Sequence, residues 1–367
     1  MTETRTPYQP EIVTPPGETL ADILEERNMS QAELAQRMGR PANKINEIIN
    51  GKRAITPETA IQLERVLGTP SAYWLNHEAH YQAYRKRIEE DQRFEQWYDW
   101  LDQMPIARLR ELGVLPPLHN RGKNKNVLMR ALLNFFSISS PAEWQRLYGA
   151  MHAAYRQSMP DRCDPFATAV WLRLGEKQME TAVGANYNRQ KFRESLETIR
   201  SLTMEKPEVF ESHLRALCAE SGVVLAFVPE IPGARVSGAA RWINGRPLIQ
   251  MSLYGKTNDR FWFTFFHEAG HILQHSHQLV YLDDRTQGAL SQEEEEANQF
   301  AARMLIPPEF EQELPALKSK DSVIAFAQQI RIHPGIVVGR LQHEEIIPRS
   351  HMNGLKDRFD WQEAVHG

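Results

Sequence analysis

Apolar residues recur three or four positions apart between residues 18 and 87, which predicts a succession of short amphipathic helices. Helix start and stop signals separate these stripes. Ser30 followed by Glu33 is typical of a helix N-terminus, and Gly39 and Gly68 each follow a stripe and can end a helix in the left-handed conformation. The pattern therefore predicts five short helices in this first region.

The pattern changes twice further along the chain. Residues 91 to about 220 keep a helical periodicity, with tryptophans spaced among charged residues. Short apolar runs follow at 223–228, 239–243 and 248–253, and Asn244-Gly245 between the last two favours a hairpin with a type I′ turn. Helical patterns then return. The predicted fold class is multidomain and mostly α, with a small β-sheet.

Composition narrows the class of protein. The 367 residues are enough for two or three domains, and 41% hydrophobic with 25% charged residues excludes a disordered chain. Two cysteines, Cys163 and Cys218, cannot form a disulfide framework, and we expect both to be buried free thiols. Neither an apolar run of membrane-spanning length nor a secretion signal is present, so the sequence predicts a cytoplasmic protein without a membrane partner.

Two short helices joined by a turn at Gly39 are typical of a helix-turn-helix unit, whose second helix enters the DNA major groove. Because the formal net charge is -4, DNA binding requires a local basic patch. Between residues 37 and 53, several arginines and lysines stand against a single acid, Glu47. The candidate DNA-binding residues are Gln31, Arg40, Asn43, Lys44, Asn46, Lys52 and Arg53. The alternative is a small helical interaction domain, which needs the same apolar stripes.

A family resemblance rests on these residues. The stretch SQAELAQRMGRPANKINEIINGKRAITPETAIQLERVLGTPSAYWLN resembles a Cro/C1-type helix-turn-helix, and INEIINGKRAITPETA within it is similar to HigA-type antitoxin repressors. The resemblance implies an N-terminal five-helix DNA-binding domain at residues 13–87. It also implies a homodimer that binds a palindromic operator DNA.

The strongest chemical signal is His267-Glu268-Ala269-Gly270-His271. Histidines four positions apart project from one face of a helix, so both imidazoles can reach one zinc ion. Glu268 lies beside them and can take a proton from an attacking water. The aromatic residues at 261–266 predict that this helix is buried, where histidines and a glutamate have little use without a metal. The pattern therefore predicts a zinc hydrolase site.

A catalytic zinc needs a third protein ligand, and a second helix predicted over residues 291–306 begins with four glutamates. Glu294 shares a face with the apolar residues of that helix, which favours it as the third ligand. Glu296 is the alternative. Asn298 is expected to hydrogen-bond a ligating histidine, and His275 is expected to pack one turn beyond the histidine pair.

A second resemblance rests on two segments in order, DRFWFTFFHEAGHILQH and EEEEANQFAARMLIPP. Both are similar to the ImmA/IrrE family of metallopeptidases, a gluzincin-like group. The resemblance implies an α+β zinc metallopeptidase domain at residues 205–347. In it, His267, His271 and Glu294 would be the zinc ligands and Glu268 the general base.

Two stretches have no assigned role, a helical middle region at residues 91–204 and a C-terminal tail at 348–367. The hypothesis for the whole chain is a DNA-binding regulator whose zinc endopeptidase cleaves a protein partner, either a repressor or a toxin. An antitoxin-like repressor that uses the peptidase fold as a binding scaffold without turnover is the alternative. We expect the edge of the 248–253 strand to align an extended substrate. Candidates for stabilising the oxyanion are Tyr254, His275, His333 and Arg340.

Overall fold

Separate hydrophobic cores form on either side of a division between Tyr98 and Asp99. The structure, a computed structural model, describes residues 13–158, 164–252, 257–275, 281–283 and 292–359. Among those residues, no helix is both long and apolar enough to cross a membrane. Cys218 is buried with a free thiol, as expected, whereas Cys163 lies outside the described residues.

Residues 13–98 contain the five helices that the sequence predicts. The side chain of Ser30 accepts a hydrogen bond from the backbone N–H of Glu33 at 3.1 Å, which begins the second helix, and Gly39 ends it with φ 63°. Thr56 accepts a bond from the backbone N–H of Thr59 and begins the fourth helix in the same way. The helices are α1 (Pro16–Glu26), α2 (Gln31–Met38), α3 (Ala42–Ile49), α4 (Pro57–Leu67) and α5 (Ser71–Phe94).

Close packing sets the arrangement of the first and third helices. A Cβ at Gly17 would overlap the carbonyl oxygens of Ile48 and Ile49, so glycine permits the start of α1 to lie against the end of α3. The fifth helix is longer than its apolar stripe indicated. It continues without a break through Arg85, Lys86 and Arg87 to Phe94.

Helices fill the region that precedes the sheet. They are α6 (Tyr98–Asp102), α7 (Ile106–Glu111), α8 (Asn124–Phe136), α9 (Pro141–Ser158), α10 (Pro165–Thr181), α11 (Arg189–Ser201) and α12 (Pro207–Glu220). Trp100, Trp144 and Trp171 are all buried, so these tryptophans belong to the core.

Within the described residues, four strands form one mixed sheet in the order β1-β3-β2-β4. They are β1 (Val224–Val228), β2 (Gly238–Ile243), β3 (Arg246–Ser252) and β4 (Tyr281–Asp283). The predicted hairpin is present, since β2 and β3 pair antiparallel and Asn244 and Gly245 between them have φ of 51° and 76°. β1 runs parallel to β3, and β4 pairs antiparallel with the beginning of β2.

The prediction that the third strand offers a free edge is wrong. β3 lies between β1 and β2 and pairs with both along its length. The periodicity of one strand shows which residues face inward but not which strands become its neighbours, because strand order depends on long-range pairing.

The two faces of the sheet contact different helices. From β2, Arg241 donates a hydrogen bond to the carbonyl of Leu172 at 2.8 Å, and Gln250 of β3 donates to the carbonyl of Trp171 at 2.6 Å, which places α10 on one face. Gly238 lies against Thr264 and Glu268, which places the following helix on the other face. The sheet is therefore covered on both sides.

The remaining helices complete the second unit. They are α13 (Asn258–Gln274), α14 (Gln292–Leu305), α15 (Lys320–Ile330) and α16 (Pro334–His343). The described part of the predicted tail packs on the start of α13. There, Lys356 forms an ion pair with the buried Asp259 at 2.7 Å, and the ring centroid of Phe359 lies 5.4 Å from that of Phe261.

Candidate functional site

Three of the predicted site residues lie on the inner face of α13. His267, Glu268 and His271 are each no more than 1% exposed, in a helix that the preceding aromatic residues bury. Gly270 faces α14, where an added Cβ would lie 3.1 Å from Cδ1 of Phe300. The absence of a side chain at this position lets the two helices approach closely.

Glu294 at the start of α14 meets both histidines. Its Oε2 lies 3.2 Å from Nε2 of His267, its Oε1 lies 3.3 Å from Nε2 of His271, and the two Nε2 atoms are 3.0 Å apart. In a tetrahedral zinc site with bonds of about 2.0–2.1 Å, ligand atoms are separated by about 3.3 Å. The three side chains therefore fit one zinc ion, as the donor set of two imidazoles and a carboxylate also indicates.

The electrostatics of this group suit a metal. Burial lowers the pKa of His271 to about 4, although its hydrogen bond to Glu294 opposes the shift. Burial raises the pKa of Glu294, but hydrogen bonds with His267 and His271 outweigh that effect and lower it to about 2. Near neutral pH, His271 is thus neutral and Glu294 is ionised, which are the protonation states that metal binding requires.

The outer nitrogens of the two histidines have different partners. Nδ1 of His267 lies 3.1 Å from Oδ1 of Asn298, whereas Nδ1 of His271 lies 2.8 Å from Nδ1 of His275. Glu296 lies away from the inner cluster and contacts Nε2 of His275 at 3.1 Å. Of the two glutamates considered as third ligand, the structure places Glu294 with the histidine pair and Glu296 one layer further out.

Glu268 lies on the side of α13 that faces the sheet. A Cβ at Gly238, the first residue of β2, would lie 2.6 Å from Oε1 of Glu268 and 2.6 Å from Cγ2 of Thr264. Only a glycine leaves room for the carboxylate at this point. Sequence reasoning missed Gly238, because thirty positions separate it from Glu268 and no local pattern connects them.

The remaining oxyanion candidates are dispersed. His275 packs one turn beyond His271, as expected, and Tyr254 lies outside the described residues. His333 contacts Asp357 at 3.1 Å near the start of α13, and Arg340 forms ion pairs with two glutamates of its own neighbourhood. The structure does not bring either of these last two to the histidine pair.

The predicted DNA-binding residues gather around α3. Asn43, Asn46, Lys52 and Arg53 are exposed, and Gln31, Arg40 and Lys44 are partly buried. Several of them have partners within the unit. Oε2 of Glu47 lies 3.2 Å from the Lys44 ammonium and 2.8 Å from Nε of Arg53, and these two contacts lower the pKa of Glu47. Asn46 donates a hydrogen bond to Gln31 at 3.3 Å, and Arg40 pairs with Glu58 at 3.2 Å.

Two protein families match the chain in separate regions. A helix-turn-helix domain matches residues 20–74, which contain α2 and α3. An IrrE N-terminal-like domain matches residues 228–342, which contain β2, β3, α13 and α14.

Curated relatives match only over about 60 residues. The uncharacterized HTH-type transcriptional regulator YddM of Escherichia coli K12 is 38% identical over 61 residues, which cover 17% of this chain and 65% of YddM. Virulence-associated protein A of Dichelobacter nodosus is 39% identical over 59 residues, which cover 16% of this chain and 58% of that protein. The chain thus spans less than two thirds of the length of these relatives.

Solved structures match a similarly short part. An addiction module antidote protein of a HigA family from Coxiella burnetii is 33% identical, with 23% of this chain and 92% of that chain covered and a TM-score of 0.22. The Pseudomonas aeruginosa antitoxin HigA, solved with the higBA promoter, is 28% identical, with 23% and 94% covered and a TM-score of 0.22.

Proposed function

We propose that this chain is a DNA-binding regulator that cleaves a protein partner. Its N-terminal region matches a helix-turn-helix domain, and a later region matches an IrrE N-terminal-like domain. The observation that carries the peptidase proposal is the convergence of His267, His271 and Glu294, with the buried carboxylate of Glu268 on the same helix. A scaffold that only binds a partner would have no use for a buried carboxylate at that position.

The proposed reaction is hydrolysis of a peptide bond. His267, His271 and Glu294 would hold zinc, which supplies a Lewis acid that polarises the scissile carbonyl and makes water acidic enough to attack near neutral pH. Glu268 takes the proton from the attacking water and delivers it to the leaving amine. Glu268 is 0% exposed, so bulk water is excluded from its carboxylate.

We propose that an extended substrate pairs with an outer strand of the sheet. β3 is an inner strand, and on the outer strand β1 the carbonyls of Leu225 and Phe227 already accept hydrogen bonds from Arg215 at 2.9 Å and Gln178 at 2.7 Å. At the opposite side, β4 has no further strand beside it within the described residues. We therefore place strand addition by a protein substrate at β4, which lies next to the strand that carries Gly238.

Operator binding is proposed for α3. The helix follows the turn at Gly39, and its exposed surface presents Asn43 and Asn46, whose amides can read base edges. Lys52 and Arg53 follow the helix and are exposed, which suits contacts with phosphates. A homodimer on a palindromic site would match the two-fold symmetry that such units use.

The peptidase proposal is tested by comparing the wild-type chain with Glu268→Gln, each co-expressed at equal level with the products of the adjacent genes. We expect new protein N-termini in mass spectra of the wild type that are missing from the variant. Zinc content controls for the site itself, since both proteins should hold about one ion per chain and a His267→Ala, His271→Ala double variant should hold none. The same cleavage products in both backgrounds would reject peptidase action, and a partner bound by both but cut by neither would favour the scaffold.

A further inference from the structure

A hydrogen-bonded chain leads from one proposed zinc ligand to the surface of α14. Nδ1 of His271 lies 2.8 Å from Nδ1 of His275, and Nε2 of His275 lies 3.1 Å from Oε2 of Glu296. The side chain of His275 is 5% exposed and that of Glu296 is 45% exposed, so this series of hydrogen bonds begins in the core and ends in solvent. We propose that Glu296 is a positioning residue, which fixes the orientation and tautomer of His271 through His275.

The direction of each hydrogen bond follows from the geometry, given the zinc centre proposed above. Nε2 of His271 faces His267 and Glu294, so that nitrogen must offer its lone pair to the metal and the proton of His271 must lie on Nδ1. His271 then donates to Nδ1 of His275, which must accept. The proton of His275 is therefore on Nε2, where it is donated to the carboxylate of Glu296.

A second contact holds Glu296 ready for this bond. Gln292, one turn earlier on α14, donates a hydrogen bond to Oε1 of Glu296 at 2.8 Å, which leaves Oε2 for His275. A hydrogen bond to a carboxylate is stronger than one to a neutral group, so the bond between His275 and Glu296 is the strongest of the series. The carboxylate also makes His275 a better acceptor, and thereby makes His271 a more basic ligand.

The two proposed ligand histidines are thus supported differently. His267 meets the neutral amide of Asn298, whereas His271 is supported by an imidazole backed by a carboxylate. We expect the carboxylate-backed arrangement to contribute more to metal affinity. Losing a partner in the layer around a metal ligand typically weakens metal binding by about 10–100-fold.

The test measures zinc affinity of the full chain by competition with a chromophoric chelator, for the wild type, Glu296→Ala, Glu296→Gln and Glu295→Ala. Glu295 is the matched control, because it lies on the same helix, carries the same charge and accepts a similar hydrogen bond, from Gln299 at 3.0 Å. We expect Glu296→Ala to bind zinc about 10–100-fold more weakly and Glu295→Ala to equal the wild type. Glu296→Gln keeps an oxygen acceptor but loses the charge, so its zinc affinity should lie between those of Glu296→Ala and the wild type.

A spectroscopic readout accompanies the affinities. With Co²⁺ in place of zinc, the visible absorption bands should shift in Glu296→Ala and remain as in the wild type in Glu295→Ala, because only the first changes how His271 is held. Circular dichroism and thermal unfolding of the metal-free proteins should match, which excludes a folding defect.

The outcomes separate this inference from the proposed function. A wild type that binds no zinc would overturn both. Normal zinc binding with equal affinities and spectra for Glu296→Ala and Glu295→Ala would leave the zinc centre standing and refute the positioning role. A loss of zinc in Glu296→Ala as complete as in the His267→Ala, His271→Ala double variant would make Glu296 a ligand. A loss of the same size in Glu295→Ala would reduce the effect to net charge.

Discussion

The close approach of α13 and α14 can be tested at Gly270. A Cβ at this position would lie 3.1 Å from Cδ1 of Phe300 and 3.3 Å from Cα of Ala297. Carbon atoms in good contact are about 3.5–4.0 Å apart, so both distances are too short. Because Ala297 Cα is backbone, α14 itself must move to accommodate an alanine. Gly270→Ala should therefore draw Glu294 away from the histidines.

Two opposing effects set the magnitude. Replacing glycine by alanine inside a helix stabilises it by about 1 kcal/mol. Overpacking a buried contact costs about 1–3 kcal/mol. The expected net change for Gly270→Ala is a loss of about 0–2 kcal/mol in the free energy of unfolding, together with weaker zinc binding.

The assay pairs urea unfolding of the metal-free protein with zinc affinity from chelator competition. Gly149→Ala in α9 is the control, because the neighbour of its added Cβ is the side chain of Gln145, which can rotate away. We expect the control to be stabilised by up to about 1 kcal/mol with unchanged zinc affinity. If Gly270→Ala were stabilised as much as the control and bound zinc as tightly as the wild type, close packing could not be what holds the ligands together.

Three further predictions use other contacts. Arg241→Met removes a buried cation that pairs at 2.7 Å with a carboxylate on α10, and should lower the free energy of unfolding by about 3 kcal/mol; an unchanged urea midpoint would contradict this. Lys356→Met leaves Asp259 buried without its cation, so amide hydrogen exchange at the start of α13 should accelerate, and equal exchange rates would show that the tail contributes nothing there. Glu47→Gln releases Lys44 and Arg53 and should tighten operator binding, whereas Lys52→Ala should weaken binding and reduce its salt slope by about one. Both are measured by DNA titrations at several salt concentrations, and weaker binding by Glu47→Gln or tighter binding by Lys52→Ala would contradict the prediction.

Features that depend on local spacing could be predicted from the sequence. The spacing of His267 and His271 placed both imidazoles on one helix face, and the apolar face of α14 turned Glu294 toward them. The Asn244-Gly245 turn likewise required nothing beyond its own backbone conformation. Each of these is a property of a few neighbouring residues.

Features that depend on contacts between distant residues could not be predicted from the sequence. The inner position of β3 follows from parallel pairing with β1, and the sequence of β3 alone is compatible with an edge or an inner strand. The position of Gly238 above Glu268 follows from the packing of β2 on α13. The partners of Lys44 and Arg53 were also hidden, because a basic cluster in the sequence does not reveal that one acid, Glu47, binds both.

The helical region before the sheet is physically part of the proposed peptidase unit. Side chains alternate along β2, so while Gly238 leaves room for Glu268 on one face, Arg241 on the other face is 3% exposed and bound to the backbone of α10. Gln250 on β3 is fully buried and bound to the same helix. A fragment that began at residue 205 would expose this face of the sheet to water and would lose the hydrogen bonds that Arg241 and Gln250 donate to α10. Helix α10 therefore stabilises the strand that borders the proposed catalytic glutamate, although it lies more than 20 residues before the segment in which the sequence predicted the chemistry.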